Sequence, residues 1–208
     1  NWSPVPNDYF PGFPGTVGFA PGSADKPIIY GSTLGEFANV PLDADEKMAM
    51  TEEEKLRFLR ERFGSQADHL IDLFRKAYPT HDILDLAYMD SMVRIPTVAT
   101  ALEHAKNNKD NTYVFLAAYC APENGWIPLW HGGEVCYIFM NEDKVFFLTE
   151  PIYGQKLANI FSTLVLNFTK YGNPNNKYLP QWETMSAAHH HTMLIDRECI
   201  CKEGYDEE

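Results

Sequence analysis

One histidine and one glutamate in this sequence have the setting that proton-transfer chemistry needs. His131 lies within Trp126-Ile-Pro-Leu-Trp-His-Gly-Gly-Glu-Val-Cys-Tyr-Ile-Phe139, after a β-forming run and a cluster of Pro, Asn and Gly from Pro122 to Pro128 that reads as a loop. Gly132 and Gly133 let the backbone turn sharply behind it, and Val135 to Phe139 reads as a buried helical turn or a short strand. An imidazole held on such a loop can move protons when a carboxylate orients it, and Glu36, about ninety residues earlier, supplies one. Read on residue type alone, Glu36 is better explained as a solvated or capping carboxylate, and a histidine such as His131 as a neutral hydrogen-bonded ring.

The elements that must position these two side chains alternate between strand and helix. Residues 1–26 are dense in Pro, Gly and aromatics and read as an ordered surface loop without regular helix. Lys26-Pro-Ile-Ile-Tyr-Gly31 is an apolar run that fits a strand buried on both faces, and it delivers the turn 32–37 to the edge where α/β folds place their chemistry. Residues 43–108 are helical. Thr51-Glu-Glu-Glu54 has the form of a capping box ahead of Leu56, Leu59 and Phe63. A second helix from Ser65 presents Leu70, Leu73 and Phe74, and Pro96 is expected to break a later one. Thr112 to Tyr119 is the strongest strand, opening the segment 112–139 that ends with the histidine loop. A long helix over 152–171 carries Leu157, Ile160, Phe161, Leu164, Val165 and Phe168 inward, is closed by Gly172-Asn-Pro174, and is followed by a final short strand at 192–196.

Composition narrows the class of partner. Lys and Arg number 17 against 29 Asp and Glu, a net charge of −12 with no basic run that could track phosphates, so nucleic acid is excluded as a partner. No apolar stretch is long enough to cross a bilayer, so no membrane partner is expected, and the cysteine usage leans to a cytoplasmic location, with secretion the alternative because the sequence as given need not begin at the true N-terminus. Cys120, Cys136, Cys199 and Cys201 lack paired zinc-site spacing and read as reduced thiols. The run His189-His190-His191 cannot point three rings one way, so it reads as an exposed polar turn, and no metal or other cofactor is expected.

Several fragments, in this order along the chain, together resemble one family. Pro4-Val-Pro-Asn-Asp-Tyr-Phe10, Lys26 to Glu36, Asp90-Ser-Met-Val-Arg-Ile-Pro96, His131-Gly-Gly-Glu-Val-Cys-Tyr-Ile-Phe139 and Asn167-Phe-Thr-Lys-Tyr-Gly-Asn-Pro174 with Trp182 resemble the C-terminal portion of type-B carboxylesterases, the α/β-hydrolases that include cholinesterases and para-nitrobenzyl esterases. The resemblance covers essentially the whole sequence. It implies an α/β fold made of the last central strands and surrounding helices of an α/β-hydrolase, with the N-terminal strands absent. It also implies that Glu36 is the acid and His131 the general base of a Ser-Glu-His triad acting on a small-molecule ester.

Neither a GxSxG nucleophile elbow nor an HGGG-type oxyanion loop ahead of the acid occurs in the sequence, and both stand earlier than the acid in that family. The 208 residues alone are therefore expected to be inactive. They are also expected to pair with the N-terminal part of the same esterase, or with a second copy, through the sheet edge left open at the first strand. A non-catalytic esterase-like binding or adhesion module is the competing function, and a metal site on the histidine run is a third. Glu134 is expected to be a structural carboxylate bonded to backbone or to an arginine, and Phe37, Trp126 and Trp130 to pack or to line a pocket.

Overall fold

A computed structural model of the chain describes residues 4–20, 22–37, 44–90, 92–107, 109–121, 127–145 and 153–207. Its strands are β1 (Ile28–Thr33), β2 (Thr112–Ala117), β3 (Cys120–Ala121), β4 (Ile127–Pro128), β5 (His191–Ile195) and β6 (Ile200–Glu203). Its helices are α1 (Pro14–Val17), α2 (Ala44–Ala49), α3 (Glu52–Phe63), α4 (Ala67–Ala77), α5 (Arg94–Ala105), α6 (Val135–Ile138) and α7 (Tyr153–Tyr171). The chain divides into two compact units, one of Asn1–Ser32, Ser91–Ala117 and Asn159–Glu208, the other of Thr33–Asp90 and Ala118–Ala158.

The first unit is built on a sheet of strand order β1-β2-β5-β6. β2 runs parallel to β5, with Phe115 opposite Met193 and Ala117 opposite Ile195, and β6 returns antiparallel to β5. Side chains along β2 alternate between two apolar layers, as the pleat requires. Val114 packs with Ala101 and Ala105 of α5 and with Met185. Tyr113 and Phe115 turn the other way, to edge contacts with Trp182 at 5.7 and 6.3 Å, and Phe115 meets Phe161 of α7 at 5.9 Å. Helices therefore cover both faces of the sheet. Arg94, the first residue of α5, donates to Ser32 Oγ, Phe115 O, Thr192 Oγ1 and both carboxylate oxygens of Asp206, so one guanidinium ties three strands to the C-terminal turn.

The second unit holds α2 to α4, a 3-10 segment over Ile83–Tyr88, the small antiparallel pair β3-β4, and α6. The expected capping box is formed. The Thr51 hydroxyl accepts the Glu54 amide, and the Glu54 carboxylate accepts the Thr51 amide in return. α3 ends at Gly64, whose positive φ of 55° suits a residue without Cβ.

Several sequence expectations need correction. The N-terminal segment does contain one helical turn, α1, because Pro14 at its first position has the φ a helix needs and lacks only an amide that would go unpaired there. β1 is not buried on both faces. Ile28, Ile29 and Tyr30 are half-buried and Gly31 exposed, as befits a strand at the end of the sheet, and the strand runs on through Ser32 and Thr33. Helix α4 buries Ala67, Ile71 and Phe74, leaving Leu73 exposed, so its inward stripe is rotated from the one expected. Pro96 breaks nothing, since it lies in the first turn of α5, where no intrahelical amide is required. Beyond β5, the residues from Ile200 form a strand, β6, that the sequence reading did not place.

Candidate functional site

Two turns of the second unit, 34–37 after β1 and 129–134 after β4, are joined by backbone hydrogen bonds. The Gly35 amide donates to Leu129 O at 2.9 Å, and the His131 amide donates to Glu36 O at 3.0 Å. Gly35 is required at this join because a Cβ there would stand 3.0 Å from both the Pro128 and Leu129 carbonyl oxygens, tighter than side chains normally tolerate. The histidine turn is held from behind as well. Leu129 donates its amide to Tyr119 O, and β3 and β4 pair Cys120 with Pro128.

This zipper sets the side chains face to face. His131 Nδ1 lies 2.6 Å from Glu36 Oε2, and the second carboxylate oxygen, Oε1, accepts the Thr33 amide at 2.7 Å. The Glu36 side chain is 5% exposed, a placement that would be costly for a carboxylate without partners and is met here by two short hydrogen bonds. His131 is 60% exposed on its outer side. With Nδ1 committed to the carboxylate, Nε2 is the nitrogen left to exchange a proton with an incoming group. The Phe37 ring lies against the imidazole at 4.2 Å between centroids and a 31° tilt, and it is itself exposed.

The neighbours of the pair follow expectation only in part. Glu134 has a buried Oε2 with no hydrogen-bond partner among the described residues. Burial, the largest cause, raises its carboxyl above the usual range and the charge of Glu36 adds to the rise, while a hydrogen bond to its own backbone, of the kind expected, and the nearby His131 oppose it. The segment 135–139 is the helical turn α6, but only Cys136 and Tyr137 are buried, while Val135 and Phe139 face solvent. Burial moves the Cys136 thiol up to about 11, which makes it a packed, unreactive group whose Sγ donates to Gly133 O. Trp130 is half-buried, and Trp126 lies outside the described residues.

The three histidines take separate partners, although the His189 and His191 rings stack at 6.1 Å between centroids. His189 bonds Glu203 at 2.6 Å, His190 pairs with Glu207, and His191, already within β5, takes its contact at Thr184 O. The sequence reading missed what aligns the glutamate: the Thr33 amide and the Gly35 join. A backbone amide leaves no signature in residue type, whereas the glycine immediately before Glu36 was a visible signal of close approach.

The strand order, the parallel β2-β5 pair and the helices on both faces define an α/β protein of the α/β-hydrolase type. The profile of the carboxylesterase family matches residues 26–208, and the chain belongs to that family. An esterase from the anaerobe Clostridium hathewayi, described as hydrolysing aliphatic aromatic polyesters, is 28% identical over 99% of this chain, with a TM-score of 0.89. The chain spans 40% of that esterase's length. Two para-nitrobenzyl (PNB) esterase structures, 17% and 18% identical, share the fold over 86% of the chain at TM-scores of 0.53 and 0.54, and the chain covers 36% of each. Comparison with curated proteins gave no match. Among the described residues, no helix is long and apolar enough to cross a membrane.

Proposed function

We propose that this chain supplies the acid and the base of a serine carboxylic-ester hydrolase, Glu36 orienting His131, with the serine and the oxyanion hole contributed by polypeptide outside these 208 residues. The observation that carries the reading is the 2.6 Å contact between His131 Nδ1 and a buried, doubly bonded carboxylate. Family membership supports it, as does the absence of a GxSxG elbow from a chain that spans 40% of an esterase's length.

In this mechanism His131 Nε2 takes the serine hydroxyl proton as the oxygen attacks the ester carbonyl. The imidazolium so formed is stabilised by Glu36, which keeps its own charge. Collapse of the tetrahedral intermediate breaks the bond to the alcohol, which leaves with the proton from Nε2. Water then repeats the sequence to free the carboxylic acid and restore the serine. The substrate is a small-molecule ester, and the partner that completes the site is the N-terminal part of the same enzyme, joining the sheet at β1.

Activity measurements test this reading directly. The 208-residue chain alone should give no saturable hydrolysis of para-nitrophenyl acetate, and activity should appear only when the serine-bearing segment is present. Saturable turnover by the chain alone that vanishes in His131→Ala would place the nucleophile within it and overturn the proposal.

A further inference from the structure

A second cluster of reactive side chains lies in the same unit and plays no part in the proposed ester chemistry. His81 follows α4, Asp85 stands four residues later on the 3-10 segment, and Cys120 opens β3. The three are brought together from separate elements and withdrawn from solvent, with the His81 and Asp85 side chains 8% and 1% exposed and Cys120 buried. Their ligand-type atoms form a nearly equilateral triangle. His81 Nδ1 is 3.5 Å from Asp85 Oδ2 and 3.6 Å from Cys120 Sγ, and Sγ is 3.7 Å from Oδ2.

Hydrogen bonding uses few protons in this triangle. The sulfur contacts are within reach of a thiol hydrogen bond and the His81–Asp85 contact is at the long limit for nitrogen and oxygen, but the thiol has one proton to share among His81, Asp85 and the Ala118 carbonyl, the last also at 3.7 Å. If Nδ1 accepts the thiol proton, it faces the carboxylate lone pair to lone pair. If Nδ1 carries the proton instead, the sulfur must turn to an oxygen.

A metal ion also suits this spacing. Imidazole, carboxylate and thiolate bound tetrahedrally to zinc at about 2.0–2.3 Å are separated from one another by roughly 3.3–3.6 Å. A tetrahedral ion seated over a triangle of this size lies about 2.2 Å from each atom, within that range. The other carboxylate oxygen, Asp85 Oδ1, is held by the Lys47 ammonium, itself buried and lying over the Tyr88 ring, so Oδ2 is left to face the triangle. An outer partner that fixes a ligating carboxylate in this way is a usual part of metal sites.

We propose that His81, Asp85 and Cys120 form a zinc site, with Lys47 orienting the aspartate and a water in the fourth position. Burial holds the Cys120 thiol up at about 11, so the ion must expel that proton to solvent as the zinc–sulfur bond forms. The Lys47 charge opposes a divalent ion and sets the affinity below that of an all-cysteine site. The function is structural. Coordination staples the 3-10 segment to β3, whose partner β4 leads into the histidine turn, so zinc stiffens the support of His131 without touching substrate.

Cobalt(II), which gives a thiolate charge-transfer absorption that zinc lacks, is the probe for the purified, chelator-treated chain. One equivalent should bind with that absorption, zinc should abolish it by displacement, and zinc should raise the melting temperature. The absorption should be lost in Cys120→Ser and in His81→Ala but kept in the Cys199→Ser/Cys201→Ser double variant. Absence of the absorption from the folded chain, or its survival in Cys120→Ser, overturns the proposal. Because the Cys120 and His81 variants could fail to fold, X-ray absorption on the zinc-loaded native chain gives an independent decision. One sulfur at about 2.3 Å with nitrogen or oxygen at about 2.0–2.1 Å is expected, whereas a shell without sulfur places the ion elsewhere and refutes the site.

Discussion

His131 and Glu36 owe their pairing to different kinds of information. Histidine type, two following glycines and a loop setting mark position 131 as able to move protons, but nothing local distinguishes Glu36 from the other acidic residues of the chain. Only the order of several family-like fragments singled it out, because side-chain proximity across so long a separation is a tertiary property. The Thr33 amide that fixes its second oxygen was invisible for a similar reason: every residue but proline has one.

Glu134 makes a prediction at this scale. Its carboxyl is raised in the folded chain, so the protonated group adds stability that is fully present below the ordinary glutamate range and is lost as pH rises through the raised value. Glu134→Gln keeps the shape and removes the charge. The variant should match the native chain in acid and melt at a higher temperature at neutral pH. Melting curves across that range check it, and a variant less stable than native at pH 7 would show that the ionised carboxylate has a stabilising partner.

Elements were legible where local physics decides them and obscure where packing does. β2 is a run of β formers, and the box at Thr51 and Glu54 closes through neighbouring atoms, so both were readable. In α4 the stripe Leu70, Leu73, Phe74 and the stripe Ala67, Ile71, Phe74 are both helical in period, and only the neighbours select the second. β6 is four residues long with exposed ends, too short to announce itself.

At the scale of elements, β1 and β2 depend on Gly31. A Cβ at that position would stand 2.0 Å from a carbon of the Phe115 ring, which is itself wedged against Phe161 and Trp182. Gly31→Ala should therefore destabilise the chain by about 1–3 kcal/mol, read from denaturant midpoints at unchanged slope. A loss under a few tenths of a kcal/mol would mean that the aromatic layer yields freely.

At the scale of the whole molecule, β1 ends the sheet with its hydrophobic residues half-buried, and an edge of that kind is a template for another strand. The isolated chain is expected to self-associate through it, and light scattering after size exclusion should show a mass that falls when Ile29 is replaced by Lys. A monomer at all concentrations would show that the edge needs no partner.

Ester hydrolysis by the polypeptide that carries the serine together with these residues tests the central claim most directly. Replacing Glu36 by Gln should preserve the fold and KM while lowering kcat by about four orders of magnitude, because the imidazolium loses its stabilising charge and the ring its tautomer. A kcat within tenfold of the native value, measured on the folded variant, would contradict the assignment of the acid.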